Sequence, residues 1–379
     1  MRLFSEPNRK PSRMGTRSNA IRRSMPGHTP LDSTAPAVSC GARPPLIPTR
    51  GTKKGIGVST SRKGKPQTRM ESLNALSVDL EEYFQVSNFD GIIPRSEWEA
   101  MPSRVVDEAR RLLDLFEDTD SRATFFVLGW VAERHPTLLA EIVDRGHEIA
   151  CHGYGHELVY AIGPDRFRED IARARSAIED ATGHRLRGYR APSYSITPRS
   201  LWALEILAEA GFEYDSSIFP IKHHRYGIPE FQRSPVVIRL PNEERITEFP
   251  MTTLRAFGMN LPLAGGAYLR FIPSALFQFA FSRLVANEEP TVLYLHPWEI
   301  DADQPRQPVN LKVRVNHYYN LGRMESKLRA LLERHRFSAL IDVLTVLDSC
   351  GRLEERRLTD LVDAEVEDTV PLKVGSQIN

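Results

Sequence analysis

The sequence predicts an α/β fold with a parallel sheet, on three observations. Short apolar runs alternate with segments of helical periodicity from residue 73 onward. The polar side chains capable of chemistry fall where those runs end. The hydrophobic content, 41% of 379 residues, is enough for a substantial core. Alternation of this kind suits either a closed barrel or an open doubly wound sheet, and periodicity does not choose between them.

The first strand is LNALSVDL at 73–80, which runs into a cluster of carboxylates. Val105, Val106, Ala109, Leu112, Leu113 and Phe116 recur at helical spacing over 103–116, and the β-rich run ATFFVLG follows at 123–129. The order repeats: a helix at 136–144 and strand HEIAC, a helix at 165–181 and strand RGYRAP, then a helix at 198–210. Further on, a helix at 274–286 precedes TVLYLH, and a helix at 323–335 precedes FSALIDVL, whose pattern suits helix and strand equally.

The flanks have a different texture. Residues 1–70 carry 15 Lys+Arg against 2 Asp+Glu, a net +13, while the remaining chain carries 35 against 47, a net −12. That head is rich in Arg, Pro, Ser, Gly and Thr without periodic apolar positions, so it is expected to be disordered, and Met70 is an alternative start. Phe4 is the one aromatic residue among its charges, so nucleic acid is not an expected partner. The folded domain is expected over 71–348, with a loose charged tail over 349–379. Three dispersed cysteines, Cys40, Cys151 and Cys350, argue against a disulfide framework. No apolar run reaches the length of a membrane span, and Arg22-Arg23 has no apolar stretch behind it, so a cytoplasmic location is the expectation.

Four motifs carry the chemistry. In SVDLEEYF, Asp79 and Glu81 lie two apart and would point to the same side of a strand, with Glu82 on the other; buried together, such acids need a cation or hydrogen-bond donors. In HGYGH, His152 and His156 are separated by a Gly-rich turn and can chelate one ion, and two imidazoles with one carboxylate leave a metal open to water and substrate. In GYRAPSYS, Arg190 ends a strand and Pro192 stiffens the turn after it. In LYLHPWE, His296 follows an alternating apolar strand and precedes Pro297 and Trp298. Taken singly, each has a plain reading: a solvated turn, surface histidines, a surface charge or a core histidine. Tyr83, Phe84, Tyr194 and Trp298 are candidates for sugar stacking or for the core.

Taken in order over residues 73–345, the four motifs resemble the carbohydrate esterase family 4 polysaccharide deacetylases, the NodB-homology fold. SVDLEEYFQVSNF, ATFFVLGW, HEIACHGYGH, YRAPSYSIT, YDSSIFP and LHPWEIDADQPR are similar to the branch that accompanies exopolysaccharide loci linked to exosortase systems. The resemblance implies a distorted (β/α) barrel and hydrolysis of N-acetyl groups from amino sugars of a polysaccharide or oligosaccharide. It implies a divalent metal, Zn²⁺ by default with Co²⁺ an option, held by Glu81, His152 and His156. Asp79 matches the base, His296 the general acid and Arg190 the residue that orients the base. Pro192, Ser193, Tyr194 and Trp298 match substrate-binding positions.

The sequence departs from the family in three places. The usual adjacent Asp pair is Asp79-Leu80-Glu81, which leaves Glu82 as an alternative ligand. Ser193 stands where an aromatic is common. The motif supporting the general acid has no clean match, Asp215 being the nearest. Two other readings stay open: a carbohydrate-binding scaffold without turnover, and an amidohydrolase acting on peptidoglycan or a small amide.

Overall fold

The computed structural model describes residues 73–362, with eleven strands and eleven α-helices: strands and helices alternate up to residue 215, five strands run without an intervening helix over 214–262, and helices predominate after that. The strands are β1 (Asn74–Leu80), β2 (Thr124–Val127), β3 (Glu148–Cys151), β4 (Gly188–Tyr189), β5 (Tyr214–Asp215), β6 (Val236–Arg239), β7 (Arg245–Glu248), β8 (Thr253–Ala256), β9 (Met259–Pro262), β10 (Thr291–Leu295) and β11 (Glu354–Arg357). The helices are α1 (Val105–Asp118), α2 (Gly129–Arg134), α3 (Pro136–Asp144), α4 (Val159–Thr182), α5 (Trp202–Glu209), α6 (Ala267–Phe271), α7 (Ser274–Ala286), α8 (Leu311–Tyr318), α9 (Met324–Leu332), α10 (Leu340–Ser349) and α11 (Leu358–Leu361).

Nine strands form one sheet in the order β10-β1-β2-β3-β4-β5-β7-β6-β11, parallel except where β6 meets β7; β8 and β9 form a separate hairpin. Alternation along each strand sorts its side chains into two layers. Leu76, Val78 and Leu80 of β1, Phe125 and Val127 of β2, and Leu293 and Leu295 of β10 join the helices in the larger apolar cluster. Ala75, Phe126, Ala150, Tyr214, Val292 and Tyr294 share the opposite parity and form a second cluster inside a curled sheet. The predicted α/β distorted barrel is the fold observed.

Irregular backbone closes the gap between β7 and β10. Phe249 N donates to Asp215 O at 2.8 Å and Met251 N to Ile218 O at 2.9 Å, extending the β5 edge. Leu263 N then donates to Thr252 O at 3.0 Å, and Tyr294 N to Ala264 O at 2.7 Å. Gly265 is required here: its φ is +109° and a Cβ would lie 2.3 Å from the Tyr294 carbonyl oxygen. None of this closure has regular periodicity, and the sequence gives no signal for it.

The other end of the barrel is plugged by α10, whose Leu340, Val343, Leu344 and Leu347 belong to the inner cluster. The ambiguous run FSALIDVL therefore resolves as a bridge at Ser338 to Ala75 followed by a helix. The expectation of a loose tail from 349 is corrected for its first part. β11 pairs with β6, and Leu358 and Leu361 are buried, so apolar anchors hold this charged stretch. The disordered head expected over 1–70, Met70 and residues 363–379 lie outside the described residues. Among the described residues, no helix is long and apolar enough to cross a membrane.

Glu148 ties the plug to the barrel wall. Its carboxylate accepts Tyr214 Oη at 2.8 Å, Ile341 N at 3.2 Å and Thr124 Oγ1, while Thr124 Oγ1 accepts Leu340 N at 2.8 Å. Burial pushes its pKa from 4.5 up to about 7, against the opposing pull of those hydrogen bonds. The unfolded chain releases this proton near 4.5, whereas the folded protein keeps it until about 7. Its contribution to stability is thus complete below the lower value and lost as pH rises through the upper one. Denaturant titrations of the wild type between those limits are expected to lose up to about 3 kcal/mol from this group. Glu148→Gln, neutral throughout, should lose that much less; equal pH slopes would refute the assignment.

Candidate functional site

The inner parity that carries Ala75 and Ser77 along β1 also carries Asp79, and Glu81 follows just past the strand end. The same rule puts His152 beyond Ala150, Arg190 beyond Gly188, and His296 beyond Tyr294, so all five converge at the C-terminal mouth of the barrel. There they border a cavity of about 750 Å³, with the exception of Arg190, which lies beneath its floor.

Arg190 is fully buried and every nitrogen is engaged. Nη1 donates to Asp79 Oδ1 at 2.7 Å and Ser77 Oγ at 2.8 Å, Nε to Ser216 O at 3.0 Å, and Nη2 to Ser216 Oγ at 3.0 Å. Its guanidinium carbon sits 4.1 Å from the Phe126 ring centre. This pair commits Asp79 Oδ1 and leaves Oδ2 toward the cavity, 3.9 Å from His296 Nε2.

Glu81, His152 and His156 offer ligand atoms that lie within 4.8 Å of one another, all buried. The arrangement fits a divalent cation. His152 Nδ1 meets the Arg190 carbonyl at 2.8 Å, which assigns the N–H to that nitrogen and leaves the Nε2 lone pair free. Burial lowers the His152 pKa to about 4, so the ring is neutral and competent as a ligand. Burial opposes ionisation of Glu81 as well, but the charge and hydrogen bond of His156, then His296 and His152, bring its pKa down to about 2. Glu81 Oε2 lies 3.0 Å from His156 Nε2, the contact of two groups that would share an ion.

The HGYGH turn owes its shape to residues with no signal in the motif itself. Asp170 of α4 accepts Tyr154 N at 3.0 Å, while the Gly153 and Tyr154 carbonyls accept the first N–H groups of α2. Gly153 has φ +75°, and a Cβ there would meet Asp170 Oδ2 at 2.8 Å. His156 itself takes φ +53°, a conformation L residues hold only when their surroundings enforce it.

Glu82 points away, as alternation suggests. Its carboxylate accepts Arg104 N at 3.0 Å and Ser103 Oγ, satisfying the start of α1. Of the two acids left open as ligand, only Glu81 lies with the histidines.

The support for His296 comes from residues the motifs did not single out. Glu299, three residues on, approaches His296 Nδ1 at 3.3 Å and accepts its backbone N–H at 3.1 Å. Arg270 pairs with Glu299 at 2.8 Å and donates to the carbonyls of Asn316, His317 and Tyr319 at the end of α8. Burial alone would lower the His296 pKa; the Glu299 hydrogen bond and the charges of Glu81, Glu299 and Asp79 raise it to about 9. Asp215 is elsewhere, accepting the Ser217 hydroxyl at 2.6 Å beside Glu248, and is not the partner of His296. A carboxylate three residues after His296 was visible in LHPWE; its Arg270 partner, 29 residues earlier, was not.

The remaining candidates divide between wall and interior. Trp298 stacks on His296 with ring centres 5.0 Å apart, donates to Glu81 Oε1 at 3.3 Å and rests on His317 at 4.3 Å. Ser193 and Tyr194 border the cavity from a turn with φ +52° and +56°, and Ser193 Oγ meets Ser87 Oγ at 2.7 Å. Pro192 is not on the cavity wall and is buried. Tyr83 and Phe84 are core residues, Phe84 packing on Trp98 and Trp130.

Two family models match the chain in tandem: polysaccharide deacetylase over residues 98–214 and a domain of unknown function, DUF3473, over 216–345. His152, His156 and Arg190 fall in the first, Arg270, His296 and Glu299 in the second, and Asp79 and Glu81 precede both. A peptidoglycan deacetylase of Helicobacter pylori is 35% identical over 108 residues, 28% of this chain and 36% of that protein. A chitooligosaccharide deacetylase of Bradyrhizobium is 29% identical over 97 residues, 26% of this chain and 42% of that protein. The matched stretch is therefore well under half of either relative. A family 4 carbohydrate esterase from Streptomyces lividans, solved with acetate, superposes with a TM-score of 0.38 and 18% identity over 72% of this chain and 93% of that one. The family model and the two relatives show a likeness to polysaccharide deacetylases over the stretches they match.

Substitution separates the two acids. Glu81→Ala is expected to abolish Zn²⁺ retention after dialysis with melting temperature little changed for the metal-free protein. Glu82→Ala should cost about 1–2 kcal/mol of stability and keep the metal. The reverse pattern would move the ligand to Glu82.

Proposed function

We propose, from the polysaccharide deacetylase match as premise, that the chain is a metal-dependent hydrolase of N-acetyl groups on amino sugars. The observation that carries this reading is that Asp79, held by Arg190, and His296 both border the Glu81, His152 and His156 cluster, with His296 Nε2 3.9 Å from Asp79 Oδ2 and 3.6 Å from Glu81 Oε1. Amide hydrolysis needs a nucleophile activated on one side and a poor leaving group protonated on the other, and those two residues answer the two needs.

Glu81, His152 and His156 would hold the cation, which when bound supplies polarisation of the acetyl carbonyl and acidification of water. Zn²⁺ suits this His₂-carboxylate set. Asp79 Oδ2 accepts the proton of the attacking water, while Arg190 fixes the other oxygen. His296 Nε2 then delivers a proton to the departing sugar nitrogen, which leaves as the amine, with acetate as the other product. With Glu81 engaged as a ligand, Glu299 is the counter-charge that keeps His296 protonated and aimed.

The substrate we favour is an exopolysaccharide or its precursor, on the resemblance of the motifs to the branch found at exosortase-linked loci. Peptidoglycan is the rival, since peptidoglycan deacetylases are among the relatives. A reducing, cytoplasmic setting fits the free Cys151 and Cys350.

Acetate release from N-acetylated oligosaccharides tests the reading. Chelation is expected to abolish it and Zn²⁺ to restore it. Asp79→Asn should lower turnover about 10²- to 10⁴-fold with metal content retained. Glu299→Gln should lower kcat about tenfold or more with KM nearly unchanged, as expected for a group that acts through His296. Bound metal with no release from any substrate would favour a carbohydrate-binding role without turnover.

A further inference from the structure

The cavity mouth carries cations that the deacetylase chemistry does not use. One lip is the 222–227 loop, where the cations Lys222 and Arg225 flank His223 and His224; the other is the first turn of α8, with Lys312 and Arg314. His223, His224, Arg225 and Lys312 border the same cavity as Asp79 and His296.

Three features make this an arrangement rather than a scatter of charge. First, among the described residues most surface arginines are paired with carboxylates, for example Arg110, Arg145 and Arg187. Lys222, Arg225, Lys312 and Arg314 have no ion pair among the described residues, in a chain that from residue 71 carries 35 Lys+Arg against 47 Asp+Glu. Second, Lys312 and Arg314 occupy the first turn of α8, which has no acidic residue there. Cations at that end oppose the helix dipole, so the placement works against helix stability. Third, the loop is held in place. Ile228 N donates to Phe219 O at 2.9 Å across its base, and Gly227 takes φ +100° where a Cβ would lie 2.2 Å from Ile221 O.

The cations are not needed to balance the cavity's own acids. Asp79 is paired with Arg190, Glu299 with Arg270 and His296, and Glu81 lies among three imidazoles. A neutral saccharide would gain little from unpaired charge at the rim. An anionic one would be repelled by the acidic body and drawn to this mouth.

We infer that the mouth is a recognition site for an anionic group, carboxylate or phosphate, on a sugar neighbouring the N-acetylated one. Arg225 and Lys312 are its specificity-determining residues. The inference rests on the deacetylase reading and narrows its substrate to acidic saccharides.

The test uses the full chain with Zn²⁺ and three probes: neutral chito-oligosaccharides, oligosaccharides in which N-acetylglucosamine alternates with glucuronic acid, and a chito-oligosaccharide bearing a terminal phosphate. Acetate release and calorimetric binding are measured at low and high salt. One or both acidic probes are expected to be preferred about tenfold or more in kcat/KM at low salt, mainly through KM, with the preference shrinking as salt rises. Which of the two wins identifies the anion. Arg225→Glu and Lys312→Glu should each lower the acidic-to-neutral ratio about tenfold. Equal use of neutral and acidic probes, with no salt effect and no change in either variant, would overturn the inference. If no probe releases acetate, the deacetylase reading fails on its own. Binding then decides: salt-sensitive binding of an acidic probe, lost in both variants, upholds the mouth as an anion site, and absence of such binding overturns it.

Discussion

A guanidinium with no exposure to water is a severe constraint, because it must be matched at every donor by groups that cannot move. Arg190 meets it by drawing β1, β4 and the end of β5 toward one another through Ser77, Asp79 and Ser216, with Phe126 beneath its plane. Removing either member of such a pair strands the other's charge, typically at a cost of about 3–5 kcal/mol. The strand ends therefore have little freedom. The same residue's carbonyl orients His152, so one position holds the proposed base with its side chain and a proposed ligand with its backbone. Gly188, two residues earlier, is part of the arrangement, since a Cβ there would fall 2.1 Å from the Tyr214 ring inside the barrel.

Much of this was legible because alternation is a strict rule. Asp79, Arg190 and His296 each continue the inner parity of a strand whose other face is apolar, so their convergence follows from short runs such as LNALSV and TVLYL. The split between Glu81 and Glu82 was readable for the same reason. What was not legible depends on pairings without period. Arg270 with Glu299, Asp170 with the HGYGH turn, and the 249–252 and 263–266 segments that close the barrel join residues far apart in sequence through single contacts. FSALIDVL stayed ambiguous because a short apolar run inside a barrel has partners on all sides, and no polar face marks its period.

The boundary between the two matched segments, at 214–216, does not divide the molecule into two folding units. The barrel runs through it: β10, β1, β2 and β3 are neighbours in one sheet, and α10 plugs the interior lined by Phe126 and Ala150. The site is divided in the same way. The three cation-binding candidates, Asp79 and Arg190 come from the first half of the chain, and His296 with its Glu299–Arg270 support from the second. The 216–345 segment thus contributes His296, Glu299 and Arg270 to the same candidate site.

That division has a consequence for how the protein is made. Translation delivers Glu81, His152 and His156 long before β10, yet β1 is flanked by β2 on one side and by β10, more than 200 residues later, on the other. Contacts of such sequence separation form late, because the loop they close is costly until the last partners arrive. The nascent chain consequently exposes one unpaired edge of β1 through most of its synthesis, an edge suited to pairing with another chain. Yield of this protein in a host should then depend on how well that edge is shielded during elongation, more than on the stability of the finished barrel.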